Sequence, residues 1–175
     1  DGNTEEAIAH YIEAIEINPG YTKAYGNLGK LYTENQEYKL AEDILKTVIQ
    51  IDAGYADGFM RLGLLYIEQE KFELAAENLV MATSLDKKDY FKFFNLAAAY
   101  NQLKQWENAT SAAQSCVDLN QKFGGGWLEF GLAEMGRRNK TRAKKYFDEA
   151  RKDRDWREMA ERKIDEINNP EKYEK

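Results

Sequence analysis

Apolar and small residues recur along the chain at spacings of three and four, and the whole pattern repeats every 34 positions without an insertion. Alanine marks the frame at Ala7, Ala41, Ala75, Ala109 and Ala143. Twelve positions before the last four alanines stand the small residues Gly29, Gly63, Ala97 and Gly131. Spacings of three and four place side chains on one helix face, so each repeat is predicted to form two helices joined by a short turn. In the first complete repeat these helices are expected over 22–35 and 38–51.

Large residues complete the frame, in the order aromatic, Leu, small, Tyr, Ala, apolar. They stand as Tyr25-x2-Leu28-Gly29-x2-Tyr32-x8-Ala41-x3-Leu45, Phe59-x2-Leu62-Gly63-x2-Tyr66-x8-Ala75-x3-Leu79 and Phe93-x2-Leu96-Ala97-x2-Tyr100-x8-Ala109-x3-Ala113. From residue 1 to about 153 this pattern resembles the tetratricopeptide repeat. The resemblance implies an all-α fold, a right-handed superhelical solenoid of antiparallel helix pairs. It also implies a concave groove lined by the first helix of each repeat.

The frame predicts one solenoid domain made of several segments. They are the second helix of a truncated repeat (1–21), three complete repeats (22–55, 56–89, 90–123), a divergent terminal repeat (124–155), a capping helix (156–168) and a tail (169–175). Because the first repeat lacks its first helix, we expect the chain to be a fragment of a longer protein. Glu134 stands where the pattern has Tyr, and Arg151 and Asp153 stand where it has apolar residues, so we expect the terminal repeat to be more polar.

Charge and composition narrow the function classes. Hydrophobic residues make up 43% and charged residues 32%, as in folded globular proteins. The net charge is −6, although residues 137–175 alone carry 14 Lys/Arg and 10 Asp/Glu. An acidic body argues against nucleic-acid binding, which relies on neutralising phosphates. No apolar stretch is long enough to span a membrane. The localisation stays open, with the cytoplasm slightly favoured.

Candidate catalytic and metal-binding residues are scarce. A single histidine, His10, is expected on an outward face, and a single cysteine, Cys116, falls on a small inward position. One of each builds neither a catalytic pair nor a structural zinc site. Gly124-Gly125-Gly126 lacks the Lys-Ser/Thr of a phosphate loop, so a loose helix start or a hinge is expected there. The sequence predicts no enzyme, no cofactor and no metal.

The groove is the remaining candidate site. Positions that line it in the family, carried over by register, include apolar residues that core packing alone does not demand. Asn27, Arg61 and Asn95 occupy equivalent positions, and we expect Asn95 to face solvent and to pair with a ligand backbone. Alternatively, some of the apolar groups only contact the neighbouring repeat. The predicted groove residues are Asn27, Lys30, Met60, Arg61, Leu64, Phe94, Asn95, Asn101 and Leu128.

Three functions fit this pattern unequally. The favoured hypothesis is a non-catalytic scaffold that binds a peptide or a partner segment in the groove. The alternative is a structural repeat protein that assembles with copies of itself through the N-terminal half-repeat. Some members of the family that the pattern resembles bind the acidic C-terminus of a heat-shock chaperone through a clamp of Lys, Asn and Arg side chains. That function is disfavoured, because the clamp positions of this chain hold Gly26, Lys30, Arg61, Phe91 and Asn95 and do not reproduce the set. A basic run with Arg137, Arg138, Lys140 and Arg142 is expected to be a solvated turn, or else a second patch for an acidic partner.

Overall fold

The computed structural model describes residues 2–173, and within that range it contains ten α-helices, one short 3-10 helix and no strand. The predicted all-α fold class is confirmed. Asp1 and residues 174–175, which belong to the predicted half-repeat and tail, lie outside the described residues. The helices are α1 Gly2–Ile17, α2 Thr22–Glu34, α3 Tyr38–Ile51, α4 Ala56–Glu68, α5 Phe72–Leu85, α6 Tyr90–Gln102, α7 Trp106–Leu119, α8 Gly124–Gly136, α9 Lys140–Ala150, α10 Arg157–Asn168 and η1 Pro170–Lys172.

The turn inside each repeat closes the first helix in the same way four times. After α2, the amide of Gln36 donates to the carbonyl of Thr33 at 2.9 Å, and that of Glu37 donates to the carbonyl of Tyr32 at 2.8 Å. This pair of bonds is the Schellman motif, which satisfies carbonyls left open at a helix end. The motif puts one residue per turn at positive φ, and these residues, 34 positions apart, are Gln36, Glu70, Lys104 and Arg138.

Small residues of the frame let the two helices of a repeat approach closely. A Cβ on Gly29 would lie 2.6 Å from Leu45, and one on Gly63 would lie 2.6 Å from Leu79. Real Cβ atoms do not pack at such distances, so the helix pairs α2–α3 and α4–α5 depend on these glycines. The small residues of the repeat pattern are therefore packing positions, as the sequence predicts.

The chain divides into two compact units, each with its own buried residues. Unit 1 is Asp1–Asp86 and unit 2 is Lys87–Lys175. In each unit, helices that follow one another in sequence pack together. The core of unit 1 includes Leu28, Ala41, Leu45, Val48, Leu65, Ala75 and Leu79. In unit 2, α10 closes the last helix pair through a core of Leu128, Ala143, Phe147, Ala150 and Ala160.

The expectation of a loose start at the glycine triplet is wrong. All three glycines are buried and helical at the beginning of α8. A Cβ on Gly124 would lie 2.8 Å from the carbonyl oxygen of Ala150, and one on Gly126 would lie 2.7 Å from the Sγ of Cys116. The amide of Gly124 also donates to the Asp153 carboxylate at 2.8 Å. The triplet therefore fits α8 tightly between its neighbours.

Candidate functional site

In unit 1, the predicted groove residues come together on α2 and α4, the first helices of two successive repeats. Arg61 Nη2 donates to Asn27 Oδ1 at 3.1 Å, and both side chains are partly buried. Arg61 Nε is buried and has no hydrogen-bond partner among the described residues. Met60 and Leu64, on the same helix as Arg61, are half-buried. The arrangement places amide and guanidinium groups beside apolar side chains that keep some exposed surface.

Glycine makes room for this bridge. A Cβ at Gly26 would lie 3.2 Å from Arg61 Nε and 2.9 Å from the Tyr55 hydroxyl, so a larger residue there would displace one of them. Lys30 lies further along α2, where its ammonium is 3.3 Å from the Glu34 carboxylate. Both of these side chains are more than half exposed, so this ion pair contributes little to stability.

In unit 2, Phe94 lies in a group of aromatic rings that we call the aromatic patch: Tyr90, Phe91, Phe94, Phe123 and Trp156. The Phe94 ring is 5.2 Å from that of Phe123 and 5.5 Å from that of Trp156, both edge to face. Phe91 lies 5.6 Å from Phe94 and is 39% exposed. Aromatic rings in such contacts prefer tilted geometries, so the patch is an ordered surface.

Two predicted groove residues are buried instead. Asn95 is 5% exposed, and its amide donates to the Phe91 carbonyl at 2.8 Å. The expectation that Asn95 faces solvent is therefore wrong. Leu128 is 1% exposed and belongs to the core that α10 completes. It is wrongly predicted as a groove residue, because the capping helix lies over the face of α8 on which Leu128 stands.

Asn101 meets a carboxylate that the sequence did not single out. Its Nδ2 donates to the backbone carbonyl of Glu129 at 3.0 Å and to Glu129 Oε2 at 2.8 Å. Glu129 is 8% exposed, and this burial raises its pKa to about 7, while the bond from Asn101 opposes the shift. The Oδ1 of Asn101 is buried with no partner among the described residues. The pair thus holds acceptor atoms that few donors reach.

The basic run is organised around a buried glutamate. Glu134, which stands where the pattern has Tyr, is 0% exposed. Its Oε1 lies 3.1 Å from Arg137 and 3.4 Å from Arg142, which are thereby held in internal ion pairs. Arg138 occupies the positive-φ turn position and Lys140 begins α9, and both are exposed. A docking role for these four basic residues stays a prediction.

The single cysteine and the single histidine of the chain lie in different surroundings. Cys116 is fully buried, and burial, followed by the charges of Glu129 and Asp89, raises its pKa to about 12. His10 is exposed and lies 3.8 Å from Glu13. In the part of the chain that the structure describes, no three His, Cys, Asp or Glu side chains group as metal ligands. Over the same residues, the helices are too short or too polar to cross a membrane.

Comparison with known proteins assigns the fold. Residues 1–58 match the family model described as tetratricopeptide repeat. The crystal structure of MamA covers 85% of this chain and 87% of its own at a TM-score of 0.76 and 23% identity. The chain has the tetratricopeptide-repeat fold. Its all-helical pairs, repeated turns and small packing residues are those of that fold.

Two further solved structures are similar to this chain. YrrB, described as a tetratricopeptide-repeat protein with an unusual peptide-binding site, covers 85% of this chain and 77% of its own at 22% identity and a TM-score of 0.72. PilF of Pseudomonas aeruginosa covers 95% of this chain and 85% of its own at 22% identity and a TM-score of 0.76. These likenesses concern the fold alone.

Curated relatives match over a short segment. Two probable UDP-N-acetylglucosamine–peptide N-acetylglucosaminyltransferases named SPINDLY, from Oryza sativa subsp. japonica and Hordeum vulgare, are 50% and 45% identical over 40 residues. The segment is 23% of this chain and 4% of either relative's length. The likeness is thus confined to a stretch about as long as one repeat.

Proposed function

We propose that this tetratricopeptide-repeat protein is a non-catalytic interaction module that binds an extended peptide segment on the first helices of its repeats. The fold is that of a protein-interaction scaffold in general. The observation that supports a peptide site is the Asn27–Arg61 bridge, since it joins the first helices of two successive repeats at 3.1 Å. A peptide laid across α2 and α4 would meet both side chains.

The chemistry of this face suits a peptide backbone. An amide group both donates and accepts, and a guanidinium carries five N–H donors in a planar fork. Because Arg61 Nη2 is held by Asn27, the fork has a fixed orientation before a ligand arrives, which lowers the entropy cost of binding. Met60 and Leu64 supply apolar surface beside it. Polar groups would fix the backbone, and the apolar groups would take alternate side chains.

The test is a peptide selection followed by titration. A random-peptide display library is selected on the wild-type chain, and enriched peptides are titrated calorimetrically against wild type, Arg61→Ala, Met60→Ala and a control. We expect Arg61→Ala to weaken binding about ten-fold or more, because a buried peptide group would lose its donor.

The control has to lie on an exposed position with no described contact to the bridge. Asp43→Ala on α3 fits, since Asp43 is exposed. Its neighbour Glu42 is unsuitable, because it accepts hydrogen bonds from both Lys46 and Tyr66. If no peptide is enriched, or if all four proteins bind the enriched peptides equally, the proposal is wrong for this face.

A further inference from the structure

Unit 2 holds a largely buried carboxylate to which one side chain, Asn101, donates. Glu129 is 8% exposed, and the hydrogen bond it receives from Asn101 reaches only one of its side-chain oxygens, Oε2. The Oδ1 of the same asparagine is buried without a partner among the described residues. A buried acceptor without a donor is destabilising, so folded proteins rarely retain one.

The register of α8 places this carboxylate next to aromatic rings. Glu129 follows Gly125 by four residues, so both lie on one face of the helix, about 5–6 Å apart along the axis. Gly125 is covered by Phe123 and Trp156, since a Cβ there would lie 2.6 Å from one ring and 2.8 Å from the other. The rings of the aromatic patch therefore end about one helical turn from Glu129.

Helix α6, which packs against α8, also carries an aromatic residue and a polar residue on one face. On α6, Phe94, Ala98 and Asn101 are separated by four and three residues and share a face. Phe94 contacts the rings of Phe123 and Trp156, whereas Asn101 contacts Glu129. Between them, Ala98 contributes only a methyl group. The two helices thus present a stripe with aromatic rings at one end, a small residue in the middle, and the Glu129–Asn101 pair at the other end.

We propose that this stripe is a subsite for a basic side chain, arginine or lysine, of a segment bound to unit 2. The positive group lies against Glu129 and Asn101, and its stem lies over the aromatic patch. The inference rests on the proposed function, peptide binding, and adds the chemistry of one ligand residue. It also supplies donors to this carboxylate, because an ammonium or a guanidinium carries several N–H groups and accepts none.

Charge and aromatic character both favour this ligand over a neutral one. An ion pair made inside a partly buried site is stronger than one in water, because the local dielectric constant is lower. Aromatic faces attract cations, and long basic side chains cover apolar surface with their stems. An acidic ligand would instead place a second negative charge next to Glu129.

The experiment selects one random-peptide display library at about pH 8, where Glu129 with its pKa of about 7 is ionised, in parallel on wild type, Glu129→Gln and Glu161→Gln. Glutamine keeps the size of the carboxyl group and removes its charge. Glu161 is an exposed residue of α10, and Glu161→Gln is the control because it removes an equal charge. We expect wild type and Glu161→Gln to enrich peptides with Arg or Lys at one position. Glu129→Gln should lose that preference and bind a selected basic peptide about ten-fold more weakly.

A further variant covers the case in which Glu129→Gln does not fold, as judged by circular dichroism. Phe91→Ala removes a ring that is already 39% exposed and should be tolerated. It should weaken a selected basic peptide about two- to five-fold through the lost aromatic surface. An unchanged affinity in Phe91→Ala would then overturn the inference.

The outcomes separate this inference from the proposed function. Peptides without a basic preference, or a preference equally strong on Glu129→Gln, overturn the subsite and leave peptide binding in place. A basic preference lost equally in Glu161→Gln would show attraction by the overall negative charge and also overturns it. A library that gives no binders on any of the proteins contradicts both proposals.

Discussion

At the scale of single residues, Glu129 shows how the fold sets the protonation of a side chain. Removal from water disfavours its charged form and raises its pKa to about 7, and the one opposing contribution is the hydrogen bond from Asn101. Its unfolded value is near 4.5. Between these two values the folded chain holds a proton at Glu129 that the unfolded chain releases. Folding and protonation of this residue are therefore linked.

The linkage gives a prediction with a definite sign. The stability that goes with protonated Glu129 is fully present below about pH 4.5 and is lost as the pH rises through about 7. Glu129→Gln should remove this dependence on pH. The free energy of unfolding of the variant, relative to that of wild type, should therefore rise by about 2–3 kcal/mol between about pH 5 and about pH 8. Urea unfolding across that range measures the difference. If the free energies of unfolding of the two proteins change equally with pH, the raised pKa of Glu129 is contradicted.

Sequence periodicity predicts which face of a helix a residue occupies, but not what covers that face. Asn27 and Arg61 share a register, and the structure brings them within hydrogen-bond distance. Asn95 has the same register, yet its amide turns back onto the Phe91 carbonyl because its surroundings are buried. Leu128 is covered by the capping helix, which lies outside the 34-residue frame. A repeat pattern does not predict the contacts of elements that lie outside the repeat.

At the scale of elements, the turn inside each repeat is specified by hydrogen bonds more than by residue type. Its positive-φ position holds Gln, Glu, Lys and Arg, not the Gly or Asn that usually end a helix this way. Sequence analysis places the turns through the flanking apolar pattern and cannot foresee their backbone conformation. A left-handed conformation costs a residue with a Cβ roughly 1–2 kcal/mol, a strain that all four turns carry.

Glycine at one of these turns should relieve that strain. Glu70→Gly is expected to raise stability by up to about 1 kcal/mol, because glycine adopts positive φ without a steric penalty. Glu73→Gly, at an exposed position in the first turn of α5, is the matched change and should lower stability, because glycine is a poorer helix former than glutamate. Thermal unfolding of both variants measures the contrast. A loss of stability in Glu70→Gly equal to that in Glu73→Gly would mean that the turn stores no strain.

The beginning of α8 is the second element whose packing can be tested. A Cβ on Gly124 would meet the carbonyl of Ala150 at 2.8 Å and the Cβ of Asp153 at 2.6 Å, and backbone atoms do not move aside easily. Gly124→Ala should therefore cost about 1–3 kcal/mol. Gly20→Ala is the control, because its nearest neighbour would be Asn18 Oδ1 at 3.4 Å, an ordinary contact. Equal melting temperatures for the two variants would show that α8 can shift without cost.

At the scale of the whole molecule, the regular 34-residue repeat does not group all helices into one compact unit. The 34-residue frame runs through the chain without an insertion, yet the contacts form two units that divide after Asp86. Helix pairing and the all-α fold follow from the period, since each repeat buries its stripe against its sequence neighbours.

The N-terminal helix gives the last prediction, which tests the alternative of self-assembly. Helix α1 packs on α2, while Ile12 remains 39% and Ile17 77% exposed. Repeat helices are stabilised by burying such side chains against a neighbouring helix, and a second copy of α1 offers a self-complementary surface. We expect concentration-dependent dimers in analytical ultracentrifugation. Ile12→Glu with Ile17→Glu should abolish them, whereas Leu40→Glu on α3, a residue 47% exposed, should not. A monomer at every concentration, or dimers that survive the double change, would rule out assembly through α1.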